Sequence, residues 1–182
     1  MSIATIDPGD VVSFWREAGY EQWFAGGDEF DRACESRFLG LHFAAARREL
    51  EHWMKHAEGA LALLILLDQI PRNVFRRNAH SYATDPLARH YATRAIDAGF
   101  DLQVDPALRI FFYMPFEHSE DLADQERAVA LVAPLDPGYA RYALAHRDVI
   151  ARFGRFPHRN RALGRSSTAD EQAYLDAGGG FG

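Results

Sequence analysis

Lysine is almost absent from this chain: of 20 basic residues among 182, Lys55 is the only lysine. The positive charge is therefore carried by guanidinium groups, which are planar and forked and bind carboxylate or phosphate through paired hydrogen bonds. Cysteine is nearly absent too. Cys34 stands alone, which excludes an internal disulfide and fits a reducing compartment; its setting in "DRACESRF" reads as a small core filler. No apolar run reaches the roughly 20 residues a membrane span needs. The longest, "ALALLILL" from Ala60 to Leu67, is closed by Asp68 and Gln69 and predicts a helix buried on all sides, with no membrane partner. The opening "MSIATIDPGDVVSFW" lacks a basic stretch followed by an apolar one, so no secretory leader is expected and the cytoplasm is the expected location. There is no glycine-rich phosphate loop, no Gly-x-Ser-x-Gly elbow and no Cys–His nucleophile signature. A formal net charge of −6 argues against general nucleic-acid binding, which needs a wide basic face.

Strand signals are scarce as well, with little alternation of period two and no Asn-Gly or Asp-Gly turn. Helical signals fill the chain. Asp7 or Asp10 caps a first helix with Pro8 in its first turn, Val11, Phe14, Trp15 and Ala18 on its apolar face, and Gly19 at its end. A second starts at Asp28, and a third is read from about Leu41 to Trp53. The buried run makes the fourth, and Pro71 kinks or restarts it. Asp85-Pro86, Asp105-Pro106 and Asp136-Pro137 each place proline at a helix start. Ser119 is the expected cap of another helix, and Thr168 with Glu171 has the spacing of a capping box. The expectation is an all-α chain of about nine helices, one domain over 1–182 with 175–182 as a loose tail.

Three polar clusters interrupt this pattern. In "LLDQIPRNVFRR", Asp68 and Arg72 are four apart and pair if the helix continues through the kink; Gln69, Asn73 and Arg76 stand beside them. In "FFYMPFEHSEDLADQ", His118 and Glu120 flank Ser119, and an imidazole there suits acid–base work. A metal set of His118, Glu120 and His158 lacks a recognisable ligand spacing, so no metal is assigned. The third cluster is "FGRFPHRNRALGRSST", with Arg155, Arg159, Arg161 and Arg165 and no acid. Four guanidinium groups in one loop repel one another unless acids face them. Either Asp68, Glu120, Asp121 or helix carboxyl ends supply those acids, or an anionic ligand does. His146, in "YALAHRDVI", reads as a hydrogen-bonded core residue.

"LLDQIPRNVFR", "FYMPFEHSEDLADQ" and "RFGRFPHRNRALGRSSTADEQAYL", with "VVSFWREAG" and "DLQVDPALRIFFY", resemble the bacterial domain-of-unknown-function family nine-two-four over nearly the whole chain. The resemblance implies an antiparallel array of helical hairpins similar to the tetratricopeptide-repeat superhelices. It brings no activity, catalytic residue or cofactor. Its most recognisable positions are those of the three clusters, and the inference is that these converge on one polar site in the concave face of the array.

The expected function is binding of a small anionic molecule in an arginine- and histidine-lined pocket. Arg72, Arg155, Arg159 and Arg165 would neutralise the anion, and Asn73, Gln125 and Asn160 would orient it. Asp68, Gln69, Ser119 and Glu120 would hold those groups. Two alternatives remain: a hydrolase of an ester or phosphoester, with His118 or His158 as acid or base and Glu120 as a third candidate, and a protein-interaction module.

Overall fold

A computed structural model of the chain describes residues 7–181; the first six residues, on which part of the leader expectation falls, and Gly182 of the tail lie outside them. Every regular element among the described residues is helical. They gather into two compact units, one of residues 7–76 with His80–Pro115, the other of Arg77–Ala79 with residues 116–181.

In the first unit, α1 (Pro8–Ala25) starts from Asp7, whose carboxylate accepts the Gly9 amide at 2.8 Å, while Asp10 accepts the Asp7 amide at 3.3 Å. Gly19 does not end it. That residue sits at φ 73°, a left-handed kink that glycine alone tolerates cheaply, and the helix resumes to Ala25. The second expected helix absorbs only the first part of the third: α2 runs from Asp28 to Ala46 straight through Gly40, with Gly27 rather than Asp28 at the cap. The chain turns only at Arg48, at φ 63°, and a 3-10 segment, Glu51–Lys55, leads into α3 (Ala57–Leu64). Residues Ala60 to Leu67 are fully buried, because α1, α2 and α5 (Asp85–Asp97) surround this stretch of chain.

Pro71 breaks the ladder without ending the helix. A π turn at Ile65–Gln69, closed by the Ile70 amide on the Ile65 carbonyl, joins α3 to α4 (Ile70–Val74). Proline has no N–H to give to the carbonyl four residues back, that of Leu67. Thr84 Oγ1 donates to that carbonyl instead, at 2.5 Å. Side chains also donate to its neighbours: His42 Nδ1 to Leu66 at 2.9 Å, Arg72 Nη1 to Asp68 at 2.6 Å and Asn73 Nδ2 to Gln69 at 3.2 Å. Asp105 caps a 3-10 turn, Pro106–Leu108, ahead of α6 (Ile110–Glu117).

In the second unit, α7 (Leu122–Val132) and α8 (Pro137–Phe153) form an antiparallel hairpin. The cap of α7 is Asp121, not Ser119; its carboxylate accepts the Ala123 amide at 2.7 Å. Ser119 stands two residues earlier, accepting the Asp121 amide and donating to Asp124 at 2.6 Å. Gly154 ends α8 in the left-handed conformation. The arginine segment follows, with one 3-10 turn at Pro157–Arg159, and then α9 (Ala169–Asp176), which starts with the expected Thr168–Glu171 capping box. Val149, Ile150 and Phe156 form the core, with Phe153, Tyr174 and Phe181 packed on it. No helix among the described residues is long and apolar enough to cross a membrane.

Candidate functional site

The first polar cluster lies in the first unit, where Arg72 meets two acids. It forks onto Asp85, Nη1–Oδ1 3.0 Å and Nη2–Oδ2 3.1 Å, and its Nη1 lies 3.4 Å from Asp68. Burial works against the charge, but Asp68 and Asp85 outweigh it and hold the guanidinium pKa above its ordinary value. Gln69 Nε2 donates to Asp68 at 2.6 Å, and Asn73 Oδ1 accepts from Arg76, which also pairs with Asp31. A feature without a sequence signal lies nearby: His42 and His80 meet Nε2 to Nε2 at 3.1 Å. Burial keeps the His42 pKa below its ordinary value.

The second and third clusters meet within the second unit. Arg165 forks onto Glu120 at 2.7 and 2.9 Å, and Glu120 also accepts the Phe156 amide at 2.8 Å. Burial alone would raise the Glu120 pKa; the bonds from Arg165 and the Phe156 amide bring it below the ordinary carboxylate value. Arg155 forks onto Glu171 at 2.5 and 2.7 Å. Glu171 thereby both closes the α9 capping box and receives Arg155, and this pairing and the Thr168 amide pull its carboxyl down to about 2. Asn160, 2% exposed, accepts from Arg165 Nε and donates to Ser167. Gln125, fully buried, gives its amide hydrogens to the carbonyls of Glu117 and Ser119, each at 2.6 Å, and so fixes the chain on either side of His118. Arg161 is exposed.

These clasps hold a denser group that sequence reasoning only partly anticipated. His146, His158 and Arg159 gather around Phe156, and His118 and Glu117 stand beside His146. The His146 ring lies 5.7 Å from Phe156 and 6.4 Å from His118; His158 lies 5.5 Å from Phe156, and the Arg159 guanidinium covers the Phe156 ring at 4.5 Å. His146 Nδ1 faces the Tyr142 carbonyl at 2.9 Å and Glu117 Oε1 at 3.1 Å. Both are acceptors, so the ring proton sits on Nδ1 and Nε2 keeps its lone pair. Burial drives the His146 pKa down to about 3, and the neighbouring His118, His158 and Arg159 push the same way. The bond to the Tyr142 carbonyl opposes this, but burial wins and the imidazole is neutral at pH 7.

His118, His158, Arg159 and Asn160 were therefore named from sequence; His146 was read as core and Glu171 as a cap, while Glu117 and Phe156 were not singled out. Phe181 belongs here too. Its ring, in the segment read as a loose tail, stacks on His146 at 3.6 Å and 15°. Among the described residues, no group of three His, Cys, Asp or Glu side chains is arranged to hold a metal ion.

Comparison with known proteins agrees with the all-helical fold. The structure of a protein of unknown function, ATU0120 from Agrobacterium tumefaciens, superposes with a TM-score of 0.91 at 52% identity, covering 93% of this chain and 97% of that one. No curated protein matches the chain. A family model described as bacterial protein of unknown function (DUF924) matches residues 11–179, more than nine-tenths of the sequence. The chain belongs to that family.

Proposed function

We propose that the protein binds a small anionic molecule at the histidine–arginine group of the second unit, with Arg159 as the charge-bearing contact and His118 and His158 beside it. The observation that carries this reading is the gathering of His118, His158 and Arg159 about His146 and Phe156 within one unit. Arg155 and Arg165 are engaged by Glu171 and Glu120, and by doing so they brace the turn that presents His158 and Arg159. In this reading Arg155, Arg165, Asn160, Gln125, Ser119 and Glu120 are positioning residues. Arg72, Asn73, Asp68 and Gln69 serve the first unit as a strut for the π turn. Gathering three imidazoles and a guanidinium inside one unit is costly for stability, and such groups concentrate at functional sites.

The test is a thermal-shift titration of the full chain with inorganic phosphate, phosphomonoesters and carboxylates. A ligand at 100 times its Kd stabilises the fold by about 2.7 kcal/mol. The expected result is a saturable rise in Tm that vanishes in Arg159→Met while that variant still melts cooperatively. If no anion raises the Tm of the unsubstituted protein, the reading fails.

The three imidazoles also favour a second reading, hydrolysis of a bound ester or phosphoester with His118 or His158 as acid or base. Turnover of p-nitrophenyl phosphate or p-nitrophenyl acetate, lost in His118→Gln or His158→Gln with anion binding retained, would establish it. Binding without turnover would exclude those substrates.

A further inference from the structure

The ring of Phe181 sits in a slot of unusual composition. It stacks face to face on the neutral His146 imidazole at 3.6 Å. It meets Phe156 edge-on at 6.1 Å and 87°, and His158 edge-on at 5.8 Å and 84°. Three rings thus frame one planar side chain, and the Arg159 guanidinium lies over the Phe156 ring that forms one wall. An aromatic group there gains offset and edge contacts worth about 0.5–1.5 kcal/mol per pair beyond its buried area.

The segment that delivers Phe181 is a glycine turn. Gly178 and Gly180 have φ of 82° and 135°, which side-chain-bearing residues resist. Gly179 lies so close to Tyr174 that an added Cβ would fall 2.4 Å from the ring. The turn has no side chain of its own before Phe181 and is held by the Gly178 and Gly179 amides, which donate to the Leu175 and Tyr174 carbonyls at 2.9 Å. Phe181 is half-buried, and its ring contacts are with His146, His158 and Phe156.

We infer that Phe181 occupies, from within the chain, the ring position of an aromatic anion: a planar aromatic group that stacks on His146 between Phe156 and His158 and carries a phosphate or carboxylate toward Arg159. This rests on the anion-binding reading of the same site and adds the class of ligand and its regulation. The Gly178–Phe181 segment is a competitor that the ligand must displace. A protein whose competent state is populated at about one-tenth binds about tenfold more weakly than its open form.

The experiment is calorimetric titration of the full chain with two matched pairs of probes, phenyl phosphate against inorganic phosphate and benzoate against acetate. Three proteins are compared: unsubstituted, Phe181→Ala and Gly179→Ala. The second variant keeps the Phe181 ring but drives the turn off Tyr174, so it controls for packing lost in the first. The expected result is that at least one ringed probe binds more tightly than its ringless partner, and that both variants raise its affinity about tenfold while leaving the ringless partner unchanged. If the ringless anions bind but the ringed probes gain nothing from either substitution, the inference fails and the anion reading stands. If none of the four probes binds any of the three proteins, both fall.

Discussion

Arg72 and Arg165 make the same bond in different surroundings. Each forks onto one carboxylate, and their side chains are similarly exposed, at 21% and 23%. The acids differ: Asp85 is 6% exposed and Glu120 is 29%. Arg72 also bonds the Asp68 carbonyl in the π turn, whereas Arg165 tethers the Asn160 side chain and the Phe156 carbonyl in an irregular segment. The acid, more than the arginine, sets what the bond is worth. A buried carboxylate stripped of its partner has no water to turn to, while a half-exposed one does.

Arg72→Ala should therefore be the most damaging change, destabilising the protein by about 3 kcal/mol or more in urea unfolding. A loss no larger than that of Arg165→Ala would erase the distinction. Thr84→Val comes next, at about 2 kcal/mol, because it leaves the Leu67 carbonyl without the donor that replaces the missing Pro71 amide. Adding Pro71→Ala should recover part of that loss, since a backbone N–H then becomes available, and no recovery would disprove the substitution of one donor for the other. Arg165→Ala should cost about 1 kcal/mol.

The Arg155–Glu171 clasp adds a pH effect. The Glu171 carboxyl titrates at about 2 in the folded chain against an ordinary 4.5. Above pH 4.5 it is ionised in both states and the clasp is fully stabilising. Between pH 4.5 and 2 the unfolded chain takes up the proton first, so this contribution fades as the pH falls. Over that range Tm should drop about 2 °C further in the unsubstituted protein than in Glu171→Gln. Equal slopes would show that the clasp is screened by solvent. The smallest change is Arg161→Ala, at an exposed position of the same loop, expected within about 0.5 kcal/mol of the unsubstituted protein.

The legible parts of the fold were those written in local chemistry. Asp-Pro pairs mark the starts of α5 and α8, and the Asp105–Pro106 turn leads into α6, because a ring that fixes φ acts within a turn of chain; at Asp105 and Asp136 the carboxylate also accepts orphan amides, whereas Asp85 lies inside α5 and pairs with Arg72. Gly19 misled: glycine permits a helix to end but does not compel it, and α1 continues past it to Ala25. The break near Arg48 carried no glycine signal, since an arginine adopts the positive φ there. At the candidate site, His158, Arg159 and Asn160 were visible because they lie in a stretch that gathers four arginines and no acid. Phe181 was not, because a phenylalanine among glycines carries no sign of the ring it will meet. Glu171 was visible only as a cap, and nothing local marks Arg155, sixteen residues earlier, as its partner.

The π turn at Ile65–Gln69 bears on the order in which this protein assembles. Its carbonyls are served by His42, Thr84, Arg72 and Asn73, and the first two come from segments up to 24 residues away in sequence. An ordinary helix forms from its own backbone; this stretch needs α2 and the start of α5 already in place. A nascent chain that has just completed Val74 holds the His42 donor but not yet Thr84. The central segment thus acquires its final winding only after its surroundings close around it, templated from outside rather than propagated from within.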